Sequence, residues 1–389
     1  MSEMREKRSA SDTIGFAILA AVMLSAAFVA GYLTHALRGG DAASYPLLIE
    51  VRSILNSNYL GDLPPDSILQ YGAVRGMVSA VGDPYTVFLE PASQELETQS
   101  LQGAFGGIGV NLRQDESGAV VLSPYPDLPA ARAGVQEGDV LVAVDGTLIV
   151  PEITLDEISA LVRGPEGTEV TITIKRGIGP PLKFTMKRQI IEIPSVTGRV
   201  LDEDPALGLV AISRFSEKTP AEVQRAIDDL QAKGVTSIVL DLRGNGGGLL
   251  NSAVDTAGVF LDGGAILIEA KRGKPENTFT ASGKGAGTEL PLVVLVNHGT
   301  ASAAEILAGA LRDRGRGPLI GQTTFGKGSV QLIFTLSDHS SVHVTNARWY
   351  TPGHTGIDAV GLKPDIELQP GTDGSDPELE RAIQYLQSQ

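Results

Sequence analysis

The stretch Gly299-Thr-Ala-Ser302-Ala-Ala-Glu-Ile306, followed by Phe325-Gly-Lys327-Gly-Ser-Val-Gln331, decides how this 389-residue chain is read. The apolar run Pro291 to Val296 predicts a buried strand, and Ala303 to Arg312 has the composition of a helix. Ser302 therefore falls at a strand-to-helix junction, exposed at the mouth of a sheet. The first amides of a helix lack internal partners and could stabilise a developing negative charge there. A serine hydroxyl needs a base, and a lysine can serve only if burial lowers its pKa toward neutrality. Lys327 has apolar neighbours in Phe325 and Val330, flanking glycines that permit close packing, and no acid within ten residues on either side.

Each residue also has a plainer reading, the serine as a helix cap and the lysine as a solvated turn residue. Gly321-Gln-Thr-Thr-Phe-Gly326-Lys327 matches the phosphate-binding pattern GxxxxGK up to the lysine. The next residue, however, is Gly328, where a magnesium-binding hydroxyl is needed. The adjoining segment, Ser-Val-Gln-Leu-Ile-Phe-Thr-Leu, reads as a strand where a P-loop requires a helix. A second glycine cluster, Gly244-Asn-Gly246-Gly247-Gly248, comes after the strand Val235 to Leu242 and precedes an apolar helix starting near Leu249. It reads as a tight turn or as a donor of bare backbone amides. Leu249 breaks the dinucleotide pattern GxGxxG.

Asp241-Leu-Arg-Gly-Asn-Gly-Gly-Gly248, Gly299 to Ile306 and Phe325 to Gln331, in that order and spacing, resemble the C-terminal processing peptidases, or tail-specific proteases. The resemblance implies Ser302 as nucleophile, Lys327 as general base and Gln331 as the residue orienting the lysine amine. It implies an oxyanion hole built from the amide of Ala303 and one from Gly247 or Gly246. Thr300 stands where such proteases commonly carry serine, and Gly246 fills a variable position. A scaffold without catalytic activity that regulates envelope proteins is the alternative, and the intact Ser302, Lys327 and Gln331 argue against it.

Upstream, Phe105-Gly106-Gly107-Ile108-Gly109-Val110 resembles the carboxylate-binding loop of a PDZ domain, implying peptide contacts from Phe105 through Gly109. Pro129 to Leu141 matches the helix, turn and strand of such domains in these proteases. Thr154-Leu-Asp-Glu157 has the form of a capping box, and Val170, Ile172 and Ile174 alternate with polar residues as in a half-buried strand. The implied partners are proteins or peptides with exposed apolar C-termini.

Ile14 to Leu33 is an uncharged apolar run of twenty residues, long enough to span a bilayer. Arg5, Lys7 and Arg8 precede it, which places that end in the cytoplasm and the rest outside. A cleaved signal peptide also fits, since Ala26, Ala27 and Ala30 are small, but the run exceeds a usual signal core. With no cysteine there are no disulfides, no thiol nucleophile and no lipoprotein anchor. A net charge of −15 argues against nucleic acid, and no metal-ligand spacing or cofactor motif is evident.

The expected fold is an α/β mixed-sheet protease core with an inserted PDZ-like β-rich domain, a helical N-terminal segment and one transmembrane helix. The boundaries are 1–13 for a cytoplasmic tail, 14–33 for the span and 45–102 for the helical region, for which the resemblance implies a role in forming a homodimer. The PDZ-like unit covers 103–188, the peptidase core 189–370 and a C-terminal tail 371–389.

Overall fold

A computed structural model describes residues 45–115, 117–150, 153–283, 285–369, 371 and 375–389. The expected tail and transmembrane helix at 1–33 lie outside the described residues. Among those described, no helix is long and apolar enough to cross a membrane.

The helical lead-in begins with α1 (Pro46–Asn58) and α2 (Asp66–Ser79), joined by an ion pair between Arg52 and Asp66. No side chain of α1 is buried, and Leu47, Ile49, Val51 and Ile54 are exposed. The next elements belong to the main body: a short strand β1 (Val87–Leu89) and helix α3 (Pro91–Gln102).

The inserted domain opens and closes on one two-stranded ladder, β2 (Ala104–Gly107) against β9 (Gln189–Glu192), antiparallel. Its ends meet where the Ile193 N–H donates to Gly103 O. Between them lie β3 (Val110–Gln114), β4 (Val120–Pro124), α4 (Pro129–Ala133), β5 (Asp139–Val144), β6 (Thr147–Leu148), α5 (Leu155–Val162), β7 (Glu169–Lys175) and β8 (Leu182–Lys187). The strands pair in the order β3-β4-β5-β7-β8, with β6 on β5. The expected period of two is present in β7: Val170, Ile172 and Ile174 are buried and pack on Ile158 and Val162 of α5. Thr154 and Glu157 form the capping box that starts α5.

The core is built on a mixed sheet in the order β10-β11-β12-β15-β16-β19. Its strands are β10 (Val196–Leu201), β11 (Asp204–Ile212), β12 (Ser237–Asp241), β15 (Leu292–Val296), β16 (Leu319–Gly321) and β19 (Ile366–Glu367). Only β10 runs antiparallel to its neighbour; β11 to β19 are parallel. Parallel strands are covered on both faces, so β12 and β15 read as unbroken apolar runs. Ile238, Leu240, Leu292, Val294 and Val296 face three helices, α6 (Thr219–Ala232), α7 (Leu250–Phe260) and α8 (Ala303–Asp313). Val239, Val293 and Leu295 face the other way, onto Leu379, Ala382, Ile383 and Leu386 of α9 (Pro377–Gln387). The segment expected as a tail is thus the covering layer of one sheet face.

A second, antiparallel sheet was not anticipated. It contains β13 (Ala265–Lys271), β14 (Asn277–Thr280), β17 (Ser329–Thr335) and β18 (Ser341–Tyr350), and β1 adds to the edge of β18. The strand expected after Lys327 is β17, so the GxxxxGK match leads into a sheet and not a helix.

Candidate active site

Three loops leave the carboxyl ends of the parallel strands β12, β15 and β16, where α/β sheets collect ligands. They carry the glycine cluster, Ser302 and Lys327. A cavity of 290 Å³ between the two sheets is lined by Gly246, Gly248, Ser302, Ala303, Lys327 and Gln331. The sequence-predicted catalytic residues are therefore brought together at one site.

Ser302 ends the loop after β15 and precedes α8 with φ 55° and ψ −117°. A side chain at positive φ is strained, and such strain persists only where the surroundings enforce it. Here the enforcement is visible. Thr300 is fully buried; its hydroxyl donates to Leu242 O at 2.9 Å and accepts from the Asn297 N–H at 3.0 Å. Serine could make the same two bonds, which accounts for threonine at this place. The Ala301 N–H donates to Asn245 O at 2.9 Å, tying the serine loop to the glycine cluster.

Glu305, also fully buried, joins the two candidate catalytic residues. Its carboxylate accepts from the N–H groups of Ser302 (2.8 Å), Gly326 (2.7 Å) and Lys327 (2.9 Å), and from the Thr324 hydroxyl. Sequence reasoning quoted this glutamate in the motif without giving it a role. Its signal was the Ser-x-x-Glu spacing of a capping box.

The candidate oxyanion donors separate. The Gly247 N–H donates to Asn245 Oδ1 at 2.9 Å, so that amide is already engaged. Gly247 has φ 104°, and a Cβ there would lie 2.9 Å from Ser302 Cβ; its role is to let the two loops touch. Gly246 and Ala303 line the cavity, as does Gly248, which sequence reasoning did not select. Among the described residues no hydrogen bond occupies the N–H of any of these three.

Lys327 is half-buried, and burial pushes its amine below the ordinary lysine range. Glu97 and then Asp83 act in the opposite sense, favouring the ammonium. No acid lies within ten residues of Lys327 in the sequence, and these carboxylates arrive from segments more than two hundred residues upstream. Phe325 is 46% exposed and does not shield the amine. Val330 and Trp349 of β18 line the same cavity as the lysine, and Trp349 Nε1 donates to Lys327 O at 3.0 Å. The amine lies 5.1 Å from the centre of the Tyr85 ring.

Gln331 lines the same cavity, but its Nε2 donates to the hydroxyls of Ser329 (2.9 Å) and Thr345 (3.3 Å). Among the described residues, no hydrogen bond joins the Lys327 amine to either Gln331 or Ser302. Catalytic hydrogen bonds are often loose before substrate binds.

The expected peptide-binding residues lie in the inserted domain. Phe105, Gly106 and Gly107 form β2 and are paired with β9, and Ile108 and Gly109 are buried in the turn after it. Gly106 packs closely: a Cβ there would meet Gly164 O at 2.0 Å. Phe105 carries the Arg163 guanidinium 4.0 Å above its ring. These residues are thus less open than a loop of bare amides.

The family model described as Peptidase family S41 matches residues 206–368, and a PDZ domain model matches 120–176. A carboxy-terminal-processing protease of Bartonella bacilliformis is 38% identical over 315 residues, covering 79% of this chain and 71% of that protein. Carboxy-terminal processing protease CtpA of Bacillus subtilis is 34% identical over 316 residues, covering 81% and 67%. A solved structure titled photosystem II D1 C-terminal processing protease aligns at 34% identity and TM-score 0.49, covering 87% of this chain and 90% of that one. The chain therefore belongs to peptidase family S41, as a serine-type peptidase of the carboxy-terminal-processing kind.

Proposed function

We propose that the chain is a membrane-anchored, extracytoplasmic endopeptidase that recognises protein C-terminal tails through its PDZ domain and cleaves with a Ser302–Lys327 dyad. The observation that carries this reading is the strained serine sharing one cavity with a lysine whose amine burial makes easier to deprotonate. Ser302 Oγ attacks the scissile carbonyl carbon while its proton passes to Lys327 Nζ. The tetrahedral oxyanion is held by the amides of Ala303 and of Gly246 or Gly248. The C–N bond then breaks, the leaving amine takes the proton from the Lys327 ammonium, and water resolves the acyl-enzyme by the same route. Gln331, which lines the same cavity, would orient the lysine amine.

The PDZ domain would take an apolar C-terminus as an added strand. The anchor and the orientation rest on the run Ile14 to Leu33 and the basic residues before it. The exposed apolar side chains of α1 favour self-association into a homodimer. The test is proteolysis of a loosely folded reporter ending in an apolar C-terminus, using the segment from Asp41 onward. Cleavage by the wild type and none by Ser302→Ala is expected; equal cleavage by both would remove Ser302 from the role.

A further inference from the structure

The segment that precedes the PDZ domain surrounds the base with groups that favour its charged form. Tyr85 places its ring 5.1 Å from Lys327 Nζ. Asp83 is kept ionised against burial by hydrogen bonds from Thr345, from Thr86 and from the Tyr85 N–H. Glu97, on α3, lines the same cavity as Lys327 and Ser302. Its Oε2 is buried 3.3 Å from His343 Nε2 of β18, and among the described residues neither atom finds an aligned hydrogen-bond partner. A carboxylate left in this state is costly unless a positive charge faces it. Lys327 is the cation that shares the cavity.

We propose that Glu97 is a positioning residue of the peptidase: with Asp83 and Tyr85 it forms a counter-ion cradle that holds Lys327 as an ammonium, off Ser302. The groups facing Lys327 are then Asp83 and Tyr85 ahead of β1, Glu97 from α3, His343 from β18, and Glu305 from α8, which holds its backbone N–H. This inference rests on the dyad reading above.

The experiment is the rate of Ser302 labelling by a small fluorophosphonate as a function of pH, which reads nucleophile activation without substrate docking. In the wild type, labelling rises with pH as the amine loses its proton, and Lys327→Ala abolishes it. Glu97→Gln is expected to move that limb down by about one pH unit, a roughly tenfold gain in rate at a fixed pH on the limb. Tyr85→Leu should move it in the same direction, whereas Tyr85→Phe, which keeps the ring, should leave it in place. A purely structural role for Glu97 would lower the rate at every pH without moving the limb, and that result overturns the cradle. An unmoved limb in both Glu97→Gln and Tyr85→Leu, with both proteins folded by thermal melting, overturns it as well. If Lys327→Ala labels as the wild type does, the dyad fails and the cradle with it.

Discussion

At the scale of single residues, the site works by opposing demands on Ser302 and Lys327. The serine is held at positive φ by a fully bonded loop, while the lysine is drawn toward neutrality by burial and toward charge by Glu97 and Asp83. Only the neutral amine can take a proton. Cleavage is therefore expected to rise with pH along a limb whose midpoint lies below the ordinary lysine value of about 10.4. Lys327→Arg keeps the positive charge and much of the volume but cannot deprotonate, so kcat/KM should fall by about 100-fold to 10,000-fold with the pH limb abolished. Steady-state cleavage from pH 6 to 9 checks both parts, and a variant that retains the limb would assign it to another group. The serine, the lysine and their order were legible because local patterns carry them. Glu97, Asp83 and Tyr85 were not, since nothing in an isolated helix or turn tells which distant cavity it will line.

At the scale of elements, the strands and helices of the parallel sheet were readable because burial on both faces leaves continuous apolar runs. The antiparallel sheet was harder. The strand β17 exposes Leu332, Ile333 and Phe334, and β1 is three residues long, so neither shows a clean alternation. The last helix, α9, lies in the segment expected as a tail, because its anchoring is tertiary. Arg243, at the start of the glycine loop, pairs at 2.7 Å with Asp241, Asp376 and Glu378, fastening the loop after β12 to α9. Burial works against the charge on Asp376, but hydrogen bonds from Arg243 and the Leu379 N–H hold it below the usual carboxylate range. A lowered carboxylate contributes stability that is full above its unfolded value of about 3.9 and is lost as pH falls through the folded value. Arg243→Ala should cost about 2 to 3 kcal/mol, less than for a fully buried pair because Asp376 is 39% exposed. Urea melts at pH 7 check the loss. The difference between wild type and variant should narrow as pH falls below about 4; an unchanged difference would mean that packing, not charge, fastens α9.

At the scale of the whole molecule, the inserted domain is a closed excursion from the core. Its first and last strands pair with each other, Ala104 opposite Glu192, and the Ile193 N–H to Gly103 O bond brings the exit back to the entrance. Its hydrophobic cluster is separate from those of the peptidase sheet. A domain with its own core and adjacent ends can be removed without opening the other core. Replacing 104–192 by a short Gly-Ser linker should leave Asp83, Tyr85, Glu97 and the three active-site loops in the chain, and the peptidase sheet folded. Such a variant is expected to retain fluorophosphonate labelling of Ser302 and cleavage of an unfolded substrate whose C-terminus is amidated. It should lose the advantage of a free apolar C-terminus, which the full chain would show as a lower KM. Cleavage of matched free and amidated reporters by the two proteins separates the alternatives. If the excised protein still prefers the free carboxylate, tail recognition lies in the peptidase core and the PDZ domain serves another purpose. If it no longer labels although its sheet melts normally, the insertion is part of the active site itself, acting through the packing of α3 against α5.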